Sequence, residues 1–288
     1  MIGRTPTRTA SGENFPVGSL LIAARLRPSV LRFYDAARAS DDIADDPALS
    51  GTEKLRQLDR FEAVLIGDME AADLAPAHHA RDTLSEPAIG RLRQLLRAFR
   101  RDAIQPRCAD WEALMAYCAD SANPVGRFLL DLHGEDAAGY PASDALCTAL
   151  QVLNHLQDCG EDYRLLDRIY LPADWLQAEG VAESALSGAQ TTPGLREVLD
   201  RCLDEVEHLL DRAAPLPLQM RSTRLALESA AVLALAVALA ARLKREDPLA
   251  RRVRLSRPAM LAVGAWAALR CLWRRTLSAG RPARRSPA

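Results

Sequence analysis

Two acidic clusters limit what this chain can fold into. Asp41-Asp42-Ile43-Ala44-Asp45-Asp46 and Asp158-Cys159-Gly160-Glu161-Asp162 each set carboxylates four residues apart on segments of helical propensity. At that spacing two side chains leave the same helix face with β-carbons about 6 Å apart, so their like charges repel unless something positive answers them. A helical fold that turns both pairs toward a cluster of Mg²⁺ ions gripping a diphosphate meets that demand. Its chemistry would be loss of the diphosphate from an allylic or cyclopropyl carbon.

The plainer reading is that acidic runs are solvated helix faces, and Asp45-Asp46-Pro47 ends a helix. The company of the two pairs argues for more. Tyr34 and Arg38 share a stripe with Asp41 and Asp45, and Gln151 and Asn154 share one with Asp158 and Asp162, at offsets of three and four. The second segment, Ala149-Leu150-Gln151-Val152-Leu153-Asn154-His155-Leu156-Gln157-Asp158, is otherwise largely core-like. Polar groups buried in such a segment require partners.

The chain has 288 residues, 49% of them hydrophobic, with Ala and Leu dominant and β-branched runs scarce. That composition excludes disorder for most of the chain and favours helix nearly throughout. Helices are expected near 17–24, from Pro28 to Pro47, at 54–66 behind a Ser50–Glu53 capping box, and at 74–84, 87–104 and 110–118. Asn123-Pro124-Val125-Gly126 breaks the pattern before a helix at 127–132. Ser143 is expected to cap a long helix to about Cys159, and Arg168-Ile169-Tyr170-Leu171-Pro172 reads as a turn or extended link. Helices at 173–178, 193–213, 219–245 and 257–275 follow. No repeat and no linker divides the chain, so the expected fold class is all-α, one bundle of roughly ten helices around a central cavity. The domain would span 13–275, between a flexible polar leader at 1–12 and a basic, disordered tail at 276–288.

Net charge is −1, which gives no support to nucleic-acid binding. The charge is unevenly spread: residues 251–288 hold ten Arg and no acid, interleaved with the apolar stretch 260–269, Trp266 and Trp273. Such a segment suits peripheral contact with an anionic membrane surface, and a solvated tail from about Thr276 is the other reading. Six cysteines without C-x-x-C spacing read as reduced thiols in a cytoplasm, and no secretory signal is evident. Residues 225–243 are long enough to span a membrane, but Glu228 and the Ala-rich content favour a core helix.

Glu205-Val206-Glu207-His208 has the E-x-x-H spacing of di-iron bundles, but it occurs once, on a normal amphipathic helix with His208 on the polar side. Gly-rich nucleotide loops and H-E-x-x-H are missing, so nicotinamide, NTPase and zinc-protease chemistry have no support. His155 reads as a satisfied core or rim histidine, with a general base as the alternative.

With the two acidic motifs, Tyr117-Cys118-Ala119-Asp120-Ser121-Ala122-Asn123-Pro124-Val125-Gly126, the run from Gln151 to Tyr163 and Arg168 to Pro172, the chain resembles the squalene/phytoene synthase family over about 13–275. Glu13-Asn14-Phe15-Pro16, Ser121 to Gly126 and Leu153 to Cys159 look more like that family's hydroxysqualene synthase branch in bacterial hopanoid biosynthesis. Many members carry Arg where this chain has Gln157, and the branch prefers a basic residue near Ala119 and Asp120. The resemblance implies an isoprenoid synthase fold and a Mg²⁺-dependent enzyme taking presqualene diphosphate and water to hydroxysqualene and diphosphate. It implies Mg²⁺ ligands at Asp41, Asp42, Asp45, Asp158 and Asp162, and catalytic roles for those of them other than Asp42 and for Tyr117 and Asn154. Arg38, Gln151, Arg168, Tyr170 and Asn123 would bind substrate, Tyr117 and Tyr170 would line the cavity, and Asp102 takes the place of a further family acid. It also implies a cytoplasmic enzyme at the inner face of the cytoplasmic membrane, handing product to other hopanoid-pathway enzymes. Presqualene diphosphate synthesis, or another head-to-head prenyl condensation, is the alternative within the family. A di-iron oxidase or a non-catalytic helical interaction protein is the alternative outside it.

Overall fold

The structure, a computed structural model of the chain, describes residues 23–279. The expected leader, the Glu13-Asn14-Phe15-Pro16 motif, most of the helix expected at 17–24 and the tail beyond 279 lie outside the described residues. Ala24–Leu26 is a 3-10 turn rather than the end of an α-helix.

Four helices build the first half of the core. Helix α1 (Arg27–Asp45) opens with Pro28 in its first turn, where a missing N–H costs nothing. Helix α2 (Gly51–Ile66) is capped by Ser50, whose hydroxyl accepts from the Glu53 N–H at 3.2 Å, and stops at Gly67, whose φ of 87° suits only a residue without a side chain. With α3 (Ala75–Thr83) and α4 (Glu86–Ile104), they bury Phe33, Leu58, Phe61, Val64, Leu92 and Leu96 together.

The second half is organised on α7 (Tyr140–Leu166), 27 residues long. Around it stand α5 (Trp111–Ser121), α6 (Asn123–His133), α8 (Ala173–Ala178), α9 (Pro193–Ala213), α10 (Leu216–Gln219), α11 (Thr223–Leu243) and α12 (Arg257–Ala279). Leu153, Leu156, Leu195, Leu199, Leu203 and Leu243 form the centre of this larger core. Phe128 of α6 joins the halves by stacking on Phe33 of α1, centroids 4.0 Å apart.

Several boundaries differ from expectation. Helix α7 starts at Tyr140 because Pro141 is compatible with a first turn, and it runs beyond Cys159 to Leu166, so the whole second acidic motif is helical. Asn123 and Pro124 open α6 rather than break a helix; the only interruption after α5 is Ala122. The helix expected at 219–245 is two, α10 and α11, and α12 continues to Ala279. The link at 168–172 contains a strand: β2 (Ile169–Pro172) pairs in parallel with β1 (Arg107–Cys108), and the Ile169 N–H donates to the Pro106 carbonyl at 2.8 Å.

Helix α11 passes the length and hydropathy test for a membrane span, as the sequence anticipated. It packs against α7, α9, α10 and α12 and buries Leu225, Leu235, Leu239 and Leu243. Glu205, half-buried, and His208, exposed, lie 3.8 Å apart on α9, and among the described residues no third metal-ligating side chain gathers on them, so the described residues give the di-iron arrangement no footing.

Candidate active site

Along α1 and α7 the same inward stripe changes from apolar to acidic. On α1, Val30, Phe33, Tyr34 and Ala37 border a cavity of about 290 Å³, and the stripe continues through Arg38 and Asp41 to Asp45. On α7, Ser143, Leu146, Cys147 and Leu150 border the same cavity, and the stripe continues through Gln151, Asn154 and Asp158 to Asp162. The opposite wall comes from α6, α10 and α11, including Phe128, Leu130, Leu216, Met220 and Val232. Gly126 sits where α6 meets α7: a β-carbon there would lie 2.5 Å from both Ser143 Oγ and Cys147 Sγ, so only glycine permits this approach.

Asp41, Asp42 and Asp45 occupy the last turns of α1, where the helix dipole is negative and carboxylates are disfavoured. Arginines offset this. Arg38 donates to Asp41 at 2.7 Å and pairs with Asp42 at 2.8 Å. Arg168, only 5% exposed, donates Nη1 to Asp45 at 2.5 Å and Nη2 to the Ala44 carbonyl at 2.8 Å, capping the helix and its acid together. Burial, followed by the Asp45 charge, still pushes the Asp41 carboxyl well above the usual carboxylate range. Lys54 of α2 is held below its usual value by burial and by Arg168, with Asp45 and Asp46 opposing the shift.

The second pair is set differently. Asp158 is 3% exposed and accepts from Arg252 at 3.0 Å. Arg252 is brought there by its neighbour: the buried Gln157 amide donates to the Val253 carbonyl, tying the segment before α12 to α7. That is what Gln157 does at the position where many family members carry Arg. The Asp162 carbonyl receives the N–H of Arg168, which links the end of α7 to the guanidinium on Asp45. Asp167 between them is left-handed (φ 51°) and pairs with Arg107 at 2.7 Å.

Between the two acidic ends lies a buried cluster around Asp102 of α4. Tyr117 of α5 donates to Asp102 Oδ2 at 2.8 Å and Tyr170 of β2 to Oδ1 at 2.9 Å. Burial raises the Asp102 carboxyl to about 6, against the favourable charge of Arg168. Both phenols are driven well above their usual range, first by burial and then by Asp102, so they remain donors. His155 stacks on Tyr170 with centroids 3.7 Å apart and accepts from the Gln151 amide at 3.2 Å. Burial and then Arg168 lower its pKa to about 3, so the ring is neutral and a feeble base. Asp102 also acts on Asp41, and Asp162 on Tyr170, so the cluster is electrostatically continuous with both pairs.

Some expected residues stand elsewhere. Tyr117 and Tyr170 do not border the apolar cavity; they flank a small hollow beside Asp102. Asn123 accepts from Thr148 at 3.0 Å, fastening α6 to α7. Asp120 faces Arg97 of α4 in a 2.6 Å ion pair. Asn154, half-buried, lies on the acidic stripe one turn before Asp158. Sequence reasoning did not single out Arg252 or Lys54 as part of the site, and it underrated Asp102, whose signal was an acid on the apolar face of α4.

Among the described residues no three His, Cys, Asp or Glu side chains come together as a complete metal cage. Mg²⁺ does not ask for one: it is commonly held by one or two carboxylates, with phosphate oxygens and waters completing the shell. Both pairs offer only oxygen, and on α1 burial and the Asp45 charge disfavour the Asp41 carboxylate, so the donor set fits a hard divalent cation.

The family model described as squalene/phytoene synthase matches residues 8–259. The chain is 42% identical over 250 residues to hydroxysqualene synthase of Rhodopseudomonas palustris, covering 86% of this chain and 85% of that protein. It is 40% identical over 245 residues to hydroxysqualene synthase of Zymomonas mobilis, covering 84% and 82%. Among solved structures, squalene synthase HpnC from Alicyclobacillus acidocaldarius superposes with a TM-score of 0.69 at 30% identity, over 82% of this chain and 90% of that one.

Proposed function

The chain belongs to the squalene/phytoene synthase family, and we propose from that premise that it is a hydroxysqualene synthase, converting presqualene diphosphate and water to hydroxysqualene and diphosphate. The observation that carries the reading is the pair of stripes. On two helices at once, an apolar wall suited to an isoprenoid tail gives way to carboxylates and arginines suited to a diphosphate with its metal ions.

In this reading Asp41 and Asp45 of α1 and Asp158 and Asp162 of α7 hold Mg²⁺, with Asp42 beside them. Bound there, Mg²⁺ would supply positive charge against the diphosphate oxygens and so favour heterolysis of the carbon–oxygen bond. Arg38, Arg168 and Arg252, each already on a carboxylate of the site, meet the remaining phosphate charge. Phe33, Phe128, Leu146 and Leu150 exclude water from the hydrocarbon while the cyclopropylcarbinyl cation rearranges. Tyr117 and Tyr170, with their protons held on Asp102, present aromatic rings near the reacting end and withhold a base that would take a proton from the cation. Water then adds to the rearranged carbon and loses its proton, balancing the departure of diphosphate. Gln151 and Asn154 line the passage between tail and head. The enzyme works in the cytoplasm at the inner face of the membrane, where its water-insoluble product passes to other enzymes of hopanoid synthesis.

The test is incubation with presqualene diphosphate and Mg²⁺ in H₂¹⁸O, without nicotinamide. The expected product is a Mg²⁺-dependent C30 alcohol carrying ¹⁸O from the solvent, with unlabelled diphosphate. Recovery of unreacted substrate, with farnesyl diphosphate consumed instead, would move the protein to the condensing activity.

A further inference from the structure

Helix α12 is amphipathic in the opposite sense to a helix packed on a water-soluble core. Its inner side, against α11, is made mostly of small residues: Gly264 approaches Ala231, where a β-carbon would lie 3.6 Å from that methyl group, and Cys271 is buried beside the Ala226 carbonyl. Its leucines and tryptophans point outward. Leu261 is 74% exposed, Trp266 65% and Trp273 64%, and Leu269, Leu272 and Leu277 are exposed with them. At 100° per residue these six fall in a continuous arc of about 160°. Arg270 and Arg257 stand at its two margins.

Solitary exposed apolar residues are ordinary, but six on one face, two of them Trp, form a patch that calls for an occupant. We propose that this face of α12 docks the enzyme on an anionic lipid bilayer, with Trp266, Leu269 and Trp273 in the headgroup–acyl boundary and the flanking arginines on lipid phosphates. Charge decides between occupants. No acidic residue follows Asp247 in the sequence, and 251–288 carry ten Arg. Arg251, Arg252 and Arg275 are already engaged within the protein, but a second copy laid face to face would oppose Arg257 and Arg270 with the same two arginines, whereas an anionic surface answers both.

The position of the helix suits the chemistry. Arg275 donates to the carbonyls of Pro217 at 3.1 Å, Met220 at 2.7 Å and Arg221 at 3.2 Å, fastening the C-terminal half of α12 to the α10–α11 segment. Leu216, Met220 and Leu225 of that same segment form a wall of the apolar cavity. The docked face is therefore joined directly to the wall behind which the C30 product forms. This deepens the membrane contact named above, yet it stands on the α12 face alone and holds whichever isoprenoid the cavity accepts.

The test uses the full chain, without substrate, in co-sedimentation with phosphatidylglycerol-containing and pure phosphatidylcholine vesicles, together with quenching of Trp emission by brominated lipid. Wild type is expected to bind the anionic vesicles, to release them at high salt, and to be quenched. The W266S/W273S variant is expected to bind about tenfold more weakly, and R257E/R270E to lose its preference for anionic lipid, both turning over detergent-dispersed presqualene diphosphate like wild type. Wild type remaining in the supernatant, binding unchanged in both variants, or a dimer that W266S/W273S dissociates would each overturn the proposal. Vesicle binding by a protein inert toward presqualene diphosphate would uphold the docking face and refute the proposed reaction.

Discussion

The two acidic pairs have the same spacing and opposite surroundings. Asp41 and Asp45 close the 19-residue α1 at the rim of the site, partly exposed, and are answered by Arg38 one turn away and by Arg168 from the far side of the sequence. Asp158 lies deep in a 27-residue helix and is answered by Arg252, delivered by the loop that Gln157 holds. The α1 pair is a strained one, with a carboxyl that burial and its neighbour push toward protonation. Asp158 is an integrated one, part of what fastens the segment before α12. Pairs of the same spacing can thus make opposite contributions to the stability of the fold.

The sharpest way to break this comparison is to replace one acid of each pair. Asp41→Asn and Asp158→Asn should each lower turnover by about 10²–10³-fold or more, as expected when charge stabilisation of a leaving group is removed. They should part in stability without metal: Asp41→Asn raises Tm by relieving a disfavoured carboxylate, whereas Asp158→Asn lowers it by leaving Arg252 without its acid. Equal shifts of Tm in one direction would dissolve the distinction.

Next in size is Arg168→Gln. It removes both the partner of Asp45 and the cap on Ala44, so we expect a loss of about 3 kcal/mol in chemical denaturation together with at least a tenfold loss of turnover. Arg38→Gln, which removes a partner of Asp41 and Asp42 one turn away on the same helix, should cost turnover with less effect on stability.

Gly126→Ala tests the apolar end of the stripes. Its new methyl would press on Ser143 and Cys147, and we expect about 1–3 kcal/mol of destabilisation, read by thermal melting, with a raised KM for the isoprenoid. The smallest effect concerns Asp102. Its carboxyl is raised from 3.8 to about 6, so the folded state binds a proton that the unfolded state has released between those values. Stability therefore falls as pH rises from about 4 to 6, and Asp102→Asn should flatten that part of the Tm profile.

Much of this was legible in the sequence, and the gaps have physical causes. The Ser50 cap, a helix end within two residues of Pro47 and the stripes of Tyr34, Arg38, Gln151 and Asn154 follow from local rules of capping and helical period. The extent of α7 was misjudged because Gly160, a weak helix residue, is stabilised there by packing: the space a side chain would need is filled by Leu249 and the Leu186 carbonyl. The β1–β2 pair was invisible because strands of two and four residues carry no alternation. Arg252 meets Asp158 across 94 residues, and Tyr170 meets Asp102 across 68. Contacts at that range belong to the fold, and no local pattern announces them.

The central claim is that both pairs grip one diphosphate whose hydrocarbon fills the apolar end of the same two helices. Its most direct test is a crystal structure with Mg²⁺ and a thiolo analogue of a prenyl diphosphate that cannot ionise. The account predicts Mg²⁺ ions linking Asp41 or Asp45 on one side and Asp158 or Asp162 on the other to a single diphosphate, with the tail between Phe33 and Leu146. A diphosphate held by one pair alone, or a tail lying outside that cavity, would contradict it.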